Sequence, residues 1–223
     1  MGARHRLGEA AVRRLNVLLE LVVADPAAPT TVTTAGAVLR DHLADSLVAL
    51  DLDCVRTAVA VADIGAGAGF PGLPLAIALP EARMSLVESS GRKCEFIGRA
   101  AGACGLANAE VVNARAEEWP AGRGRCALVV ARAVAALPVV AEYAAPLLQI
   151  GGTLLAWRGR RDLEDERRAA RVATLLGLEV APPIKVEPYP GALNRHLHPI
   201  VKVAETPPEF PRRAGMARKR PLG

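Results

Sequence analysis

The run Val59-Ala60-Val61-Ala62-Asp63-Ile64-Gly65-Ala66-Gly67-Ala68-Gly69-Phe70-Pro71-Gly72 constrains the fold more than any other part of the chain. A short apolar stretch ends at an acid and enters a turn with glycine at every second position. An apolar stretch of helical character follows, from Leu73 to Leu79. Strand, tight turn and helix in this order imply an α/β unit with a parallel sheet. Glycine reaches positive φ without strain and lets a ligand approach the backbone closely. Alternating glycines are also costly to order, which argues against a turn that holds nothing. The turn therefore reads as a site for a nucleotide-like cofactor.

Two cofactors compete for it. Gly67, Gly69 and Gly72 fit the dinucleotide pattern G-x-G-x-x-G. Gly65, Gly67 and Gly69 fit the G-x-G-x-G turn of S-adenosylmethionine enzymes. A pyrophosphate needs free N–H groups at the start of the helix. Pro71 and Pro74, in or beside the first turn, have none. S-adenosyl-L-methionine carries no phosphate and has a sulfonium cation, which Asp63 suits. The methyl donor is the preferred reading over NAD.

The 223 residues suffice for one medium domain. Hydrophobic residues make up 51% and aromatics only 3%, so Ala, Val and Leu must build the core. No apolar run reaches the length of a membrane span, and no signal-peptide pattern follows the basic start Met1–Arg6. Cytoplasmic residence, with no membrane partner, is the expectation. Cys54, Cys94, Cys104 and Cys126 are scattered singly, and His5, His42, His196 and His198 have no zinc spacing, so no metal is expected. The net charge of +5 gathers in the tail Arg212–Arg220 and at Arg158, Arg160 and Arg161. Such clusters fit phosphate contacts on nucleic acid, although a solvated basic tail has the same composition.

Periodicity predicts a helix over Leu7–Val23, with Val12, Leu15, Leu19 and Val22 on one face. A second helix, capped by Thr34 and reaching Leu50, places Leu39, Leu43, Leu47 and Leu50 on its apolar side. Strands are expected at Val59–Asp63, Met84–Glu88, Ala109–Val112, Ala127–Ala131, Thr153–Trp157, Leu178–Val186 and Pro199–Val203. Helices are expected at Pro71–Leu79, Arg92–Cys104, Leu137–Leu148 and Leu163–Leu176. This alternation gives an α/β fold with a seven-stranded, mostly parallel sheet, helices on both faces and a final antiparallel pair. It is the layout of Rossmann-like class I methyltransferases. The chain then reads as one methyltransferase domain: an N-terminal helical cap over 1–52, a cofactor-binding core over 53–204 and a basic tail over 205–223.

Glu88 ends the second strand about 20 residues past the glycines, where an acid can bind ribose hydroxyls. The loop Asn113–Trp119 follows the third strand and is expected beside the adenine, with Glu117 or Glu118 accepting from its amine. Arg132 ends the fourth strand at the ligand crevice. Its guanidinium suits a target rich in acceptors, such as guanine O6 and N7, or else pairs with a structural acid. The residues alone also allow another RNA base, a small molecule, or a non-catalytic RNA-binding module.

Several motifs in order narrow this choice. They are Arg40-Asp41-His42-Leu43-Ala44-Asp45-Ser46-Leu47, the turn Asp63–Pro74, and Val87–Phe96. Ala114–Glu118, Ala131–Ala135, Arg195-His196 and Phe210–Gly215 complete the set. Through them nearly the whole chain resembles the ribosomal RNA small subunit methyltransferase G family, also called glucose-inhibited division protein B. The resemblance implies S-adenosylmethionine-dependent methylation of guanine N7, at position 527 in the 530 loop of 16S rRNA of the small ribosomal subunit. By matching positions, Gly65, Phe70, Ala116, Glu117 and Arg132 resemble the family's cofactor contacts. The chain departs from the family at Ala28-Pro29-Thr30, where Asn-Leu-Thr is usual, and at Arg158-Gly159, where Lys-Gly is usual.

Guanine N7 already has a lone pair, so the reaction needs placement rather than a base. Arg132, Arg158 or Arg195 can stabilise O6 as positive charge enters the ring. His42 is expected to be an RNA contact or a bond to Asp45 rather than a base. A monomer acting on RNA in an unstacked loop is the expected working form.

Overall fold

The computed structural model describes residues 4–223. Residues 1–3, the beginning of the basic start Met1–Arg6, lie outside the described residues. The strands are β1 (Ala60–Ile64), β2 (Arg83–Glu88), β3 (Ala109–Asn113), β4 (Cys126–Arg132), β5 (Leu148–Arg158), β6 (Leu178–Val180), β7 (Ile184–Lys185) and β8 (His196–Lys202). They form one sheet in the order β3-β2-β1-β4-β5-β8-β6, with β7 also pairing with β8. β1 to β5 run parallel, and β8 runs antiparallel to β5, β6 and β7.

Eight strands replace the expected seven. The predicted strand Leu178–Val186 breaks into β6 and β7 around Pro182 and Pro183, which have no N–H for a ladder. The fold class is otherwise the expected one, Rossmann-like with a mostly parallel sheet.

Side chains alternate across the strands, as the pleat requires. Val61, Leu128, Val130, Leu155 and Trp157 face one apolar cluster; Ala62, Val129, Ala131, Leu154 and Ala156 face the other. The first cluster is closed by α1 (Glu9–Ala24), by an irregular helical stretch from Ala35 to Asp51, and by α5 (Gly72–Ala78) and α6 (Gly91–Ala103). That stretch comprises α2 (Ala35–Ala37), a π-helical segment Val38–Ala44, α3 (Asp45–Leu47) and a 3-10 turn Val48–Asp51; α4 (Asp53–Arg56) follows it. The second cluster is closed by α7 (Leu137–Ala144), α8 (Leu163–Leu175) and α9 (Met216–Lys219).

The helix faces differ in detail from the periodicity. α1 buries Leu15, Leu18 and Val22, while Val12 is exposed. In the second helical stretch Leu43, Leu47 and Leu50 are buried, but Leu39 is 43% exposed. A π segment turns through more residues than an α-helix, so a regular 3.6-residue stripe cannot run through Val38–Ala44. Thr34 precedes α2 in an extended conformation without a side-chain capping bond. The one side-chain cap found at a helix start among the described α-helices is Asp162, which accepts the Glu164 and Asp165 N–H groups at 3.0 and 3.1 Å.

The order of strands reverses between β1 and β4, and ligands of such sheets bind at that point, beyond the carboxyl ends. The glycine turn after β1 lies there. Gly65, Gly67 and Gly69 all have positive φ, from 62° to 85°. At Gly69 a side chain would also run into Leu73. The turn is anchored from below: the Asp63 carboxylate, 1% exposed, accepts the Gly72 N–H at 2.7 Å.

Burial pushes the Asp63 carboxyl up to about 7, well above its ordinary value of 3.8. A raised pKa means the folded chain holds a proton that the unfolded chain releases. The contribution to stability is complete below pH 3.8 and is lost as the pH rises through about 7. Asp63→Asn keeps an acceptor for Gly72 and has no proton to lose. Urea unfolding at pH 5 and pH 8 should show the wild type losing about 2–4 kcal/mol more than Asp63→Asn over that interval. Parallel pH profiles for the two proteins would refute the assignment.

Candidate functional site

Two clefts open at the carboxyl ends of the parallel strands, and Ala133 lines both. Ala133 follows Arg132 at the end of β4 and has φ of +56°, a conformation uncommon for a residue with a side chain.

The first cleft has a volume of about 220 Å³. Gly65 and Glu88 form one side, and Ala116 and Glu117 another. A side chain at Gly65 would come within 2.9 Å of Val134, so only glycine lets the two loops approach this closely. Glu88 is held by the backbone: Oε2 accepts the Gly67 N–H at 3.1 Å and Oε1 the Ser90 N–H at 2.9 Å. Glu117 lines the cleft, whereas Glu118 is exposed outside it. Lys93, Arg115, Tyr143 and Arg218 also face this space, and none of them stood out in the sequence as a cofactor residue. Lys93 and Arg115 lie in the same motifs as Glu88 and Glu117, Arg218 comes from the distant tail, and Tyr143 is an apolar-stripe residue of α7 by spacing.

Other expected cofactor residues lie elsewhere. Asp63 does not line the cleft; its carboxylate is turned into the protein beneath the turn. Gly67 and Gly69 shape the turn without forming the cleft wall. Phe70 is 4% exposed and stacks on His42, with ring centroids 4.4 Å apart. The Arg132 guanidinium lies 5.6 Å from the centre of the same ring.

The second cleft, about 580 Å³, collects His42, Arg132, Arg158 and Arg195. Its lining contains four arginines against three aspartates, because Arg160, Asp41, Asp45 and Asp162 complete the charged set. The π-helical segment supplies Asp41, α3 supplies Asp45, and Asp162 is the cap of α8. Asp45 Oδ2 accepts from Arg132 at 3.1 Å, and Asp45 Oδ1 lies 3.3 Å from Arg195 Nε. Arg132 also donates to the Asp41 carbonyl at 3.0 Å. Asp41 Oδ1 receives the Tyr189 hydroxyl at 2.8 Å and sits 3.4 Å from Arg195. Arg158 donates to the Ala135 carbonyl at 2.8 Å and to Asp165. Burial raises the Asp45 carboxyl, and the Arg132 and Arg195 guanidinium groups pull it back down.

His42 does not bond to Asp45. Its Nε2 lies 2.7 Å from the Thr30 hydroxyl, and its Nδ1 lies 3.1 Å from Arg132. Burial, with the guanidinium beside it, pushes His42 down to about 4. Nδ1 also lies 3.2 Å from the Asp41 carbonyl, but the guanidinium is nearer and can only donate, which favours a lone pair at Nδ1 and the proton on Nε2. Thr30 survives from the segment that otherwise departs from the family pattern, and its hydroxyl can accept that proton.

The tail is docked. Arg212 makes a two-bond pair with the buried Glu142, at 2.8 and 2.6 Å. Arg218 donates to the Val134 carbonyl. Arg213, Lys219 and Arg220 are exposed, as is Arg218 despite its contact. Spacing and charge carry no signal that distinguishes the two groups, because the acid that engages Arg212 is 70 residues away in sequence.

Residues 19–188 match the family described as rRNA small subunit methyltransferase G. The ribosomal RNA small subunit methyltransferase G of Rubrobacter xylanophilus is 42% identical over 191 residues, covering 83% of this chain and 73% of that one. The protein of the same name from Pelotomaculum thermopropionicum is 41% identical, covering 86% and 82%. The chain belongs to this family. Its members are methyltransferases, and the methyl donor is S-adenosylmethionine. Among solved structures, a mutant of the 16S rRNA (adenine(1408)-N(1))-methyltransferase from Catenulisporales acidiphilia superposes with a TM-score of 0.57 at 18% identity, covering 69% of this chain and 89% of that one. The antibiotic-resistance methyltransferase Kmr gives 0.55 at 16%, covering 66% and 88%. At these identities the likeness shows the fold.

The first cleft fits the methyl donor of this family better than a dinucleotide. The Gly72 N–H at the start of α5 is already taken by Asp63, so a pyrophosphate would meet a carboxyl group where it needs a donor. Carboxylates at Glu88 and Glu117 suit ribose hydroxyls and an exocyclic amine. Among the described residues no group of three or more His, Cys, Asp or Glu is placed to hold a metal, and no helix is long and apolar enough to cross a membrane.

The geometry at His42 is open to a direct measurement. Nitrogen-15 NMR should find the ring proton on Nε2 at pH 7 and a titration midpoint near 4. A midpoint close to the ordinary 6.5 would mean that Arg132 does not hold the ring.

Proposed function

We propose that the protein methylates N7 of guanine at position 527, in the 530 loop of 16S rRNA, within the small ribosomal subunit. The observation that carries this reading is the meeting of two unlike clefts at Ala133. One offers carboxylates to an adenosyl group; the other offers guanidinium donors to a base with acceptors on its edge. The family supports an rRNA substrate, and the cationic cleft supports a guanine, which presents O6 and N7 together.

S-adenosylmethionine supplies an electrophilic methyl group when bound. The protein contributes position and electrostatics. Gly65, Glu88, Ala116 and Glu117 contact the cofactor, while Asp63, Gly67 and Gly69 hold the turn in shape. Ala133 forms the wall between the two clefts, Arg132 lines the second, and Phe70 packs against His42 and Arg132. Arg132, Arg158 and Arg195 donate to the guanine O6 and so hold the base with N7 in line with the methyl group. His42, neutral at physiological pH, aims Arg132 and takes no proton. Cap 1–52, core 53–204 and tail 205–223 form a single domain that works as a cytoplasmic monomer on the ribosomal particle.

Small subunits carrying 7-deazaguanine at the target position test the reacting atom. The analogue keeps O6 and the Watson–Crick edge, so affinity should be largely retained while methyl transfer is lost. Robust methylation of the analogue would show that another atom is attacked. With ordinary subunits, the single-turnover rate should be flat from about pH 6 to 8, because no group is asked to act as a base. A limb that disappears in His42→Gln would give His42 a proton-transfer role and overturn its assignment here.

A further inference from the structure

The C-terminal segment lies beyond residues 19–188, although Phe210–Gly215 is one of the motifs that resemble the family, and it reaches the first cleft. The Gly215 N–H donates to Glu117 Oε1 at 3.0 Å. Arg115 approaches the same oxygen at 3.3 Å. With Oε1 engaged twice, the carboxylate cannot swing, and Oε2 is left to accept from a ligand. Three residues on, Arg218 lines the cleft and donates to the Val134 carbonyl in the loop that closes it. The segment is tied down at both ends of this contact. Arg212 pairs with Glu142, which is 1% exposed, and Ala217 is buried among the residues of the second cluster. A further observation points to a ligand here. Tyr143 lines the same cleft, is only 4% exposed, and its buried hydroxyl has no hydrogen-bond partner among the described residues.

We propose that residues Gly215 to Arg218 form a wall of the cofactor cleft, and that Arg218 is a binding residue for the adenosyl end of S-adenosylmethionine rather than a contact to RNA phosphate. The proposal rests on the cofactor occupying the first cleft. A group in this wall meets the nucleoside and not the sulfonium, so its loss weakens the methyl donor and S-adenosylhomocysteine by the same factor. A basic tail by composition suggests phosphate contacts, and nothing in its composition shows that two of its arginines engage Glu142 and Val134.

Calorimetric titration with S-adenosylhomocysteine tests it on the full chain. Arg218→Ala should bind roughly five- to tenfold more weakly, the effect of one lost hydrogen bond from a solvent-exposed side chain. Arg218→Lys should recover part of the loss, since an ammonium can still donate to Val134. Lys219→Ala, exposed and outside the cleft, should bind as wild type. Independently of any substitution, the amides from Gly215 to Lys219 should exchange more slowly with deuterium when S-adenosylhomocysteine is bound. Wild-type affinity in Arg218→Ala together with unchanged exchange would overturn the proposal, as would a loss confined to rRNA affinity. The underlying cleft assignment fails in a different way: Glu88→Ala and Glu117→Ala would then also bind S-adenosylhomocysteine normally.

Discussion

Asp63 accepts the Gly72 N–H from beneath the glycine turn, and the rest of the site depends on that bond. It joins β1 to the start of α5 across the loop Gly65–Pro71, which holds three positive-φ glycines. Such a loop is entropically expensive to hold in one conformation. A buried acceptor at its base offsets part of that cost and sets where the Gly67 N–H points, which is at Glu88. Glu88 in turn is held by Ser90. Glu88 is therefore positioned chiefly by backbone N–H groups, with the Ser89 hydroxyl 3.4 Å from Oε1. The cost of the arrangement is a carboxyl group in an apolar place, with its pKa raised to about 7.

The second cleft is built on the opposite logic. Its arginines are not free charges; Arg132, Arg158 and Arg195 each have a protein acid within 3.5 Å. Pairing makes burial of a guanidinium tolerable, and it also fixes the fork in space. The acids that hold Arg132 and Arg195 come from the irregular helical stretch, so the N-terminal cap is joined to the end of β4 and the start of β8 through these pairs. The π-helical turn brings Asp41, His42 and Asp45 to one side at once. A neutral His42 between Phe70 and Arg132 is a spacer with a lone pair, and its low pKa follows from burial beside a permanent cation.

Ala133 joins the two halves. A residue with a side chain at φ of +56° is strained, and here the strain coincides with the only position that lines both clefts among the described residues. Methyl transfer between a cofactor and a base requires that the two ligands share one short wall. A small side chain after Arg132 supplies such a wall.

The sequence by itself determined the alternation of strands and helices, the parallel sheet and the turn after β1, because each depends on local patterns of apolar residues and glycines within about a dozen positions. It also determined the family, through motifs in a fixed order. The break of the sixth strand at Pro182 and Pro183 was readable in principle, since proline cannot donate to a ladder. Other features lay beyond local pattern. Asp63 turning inward, His42 choosing Thr30 and Arg132 over Asp45, and Glu117 rather than Glu118 facing the cleft are all decided by atoms far away in the chain. The tail shows this most plainly. Its charges were visible in the sequence, but Glu142, Glu117 and the Val134 carbonyl lie 70 or more residues away. Whether a charge is solvated or paired depends on what the fold brings within about 3 Å of it, and only the tertiary structure decides that.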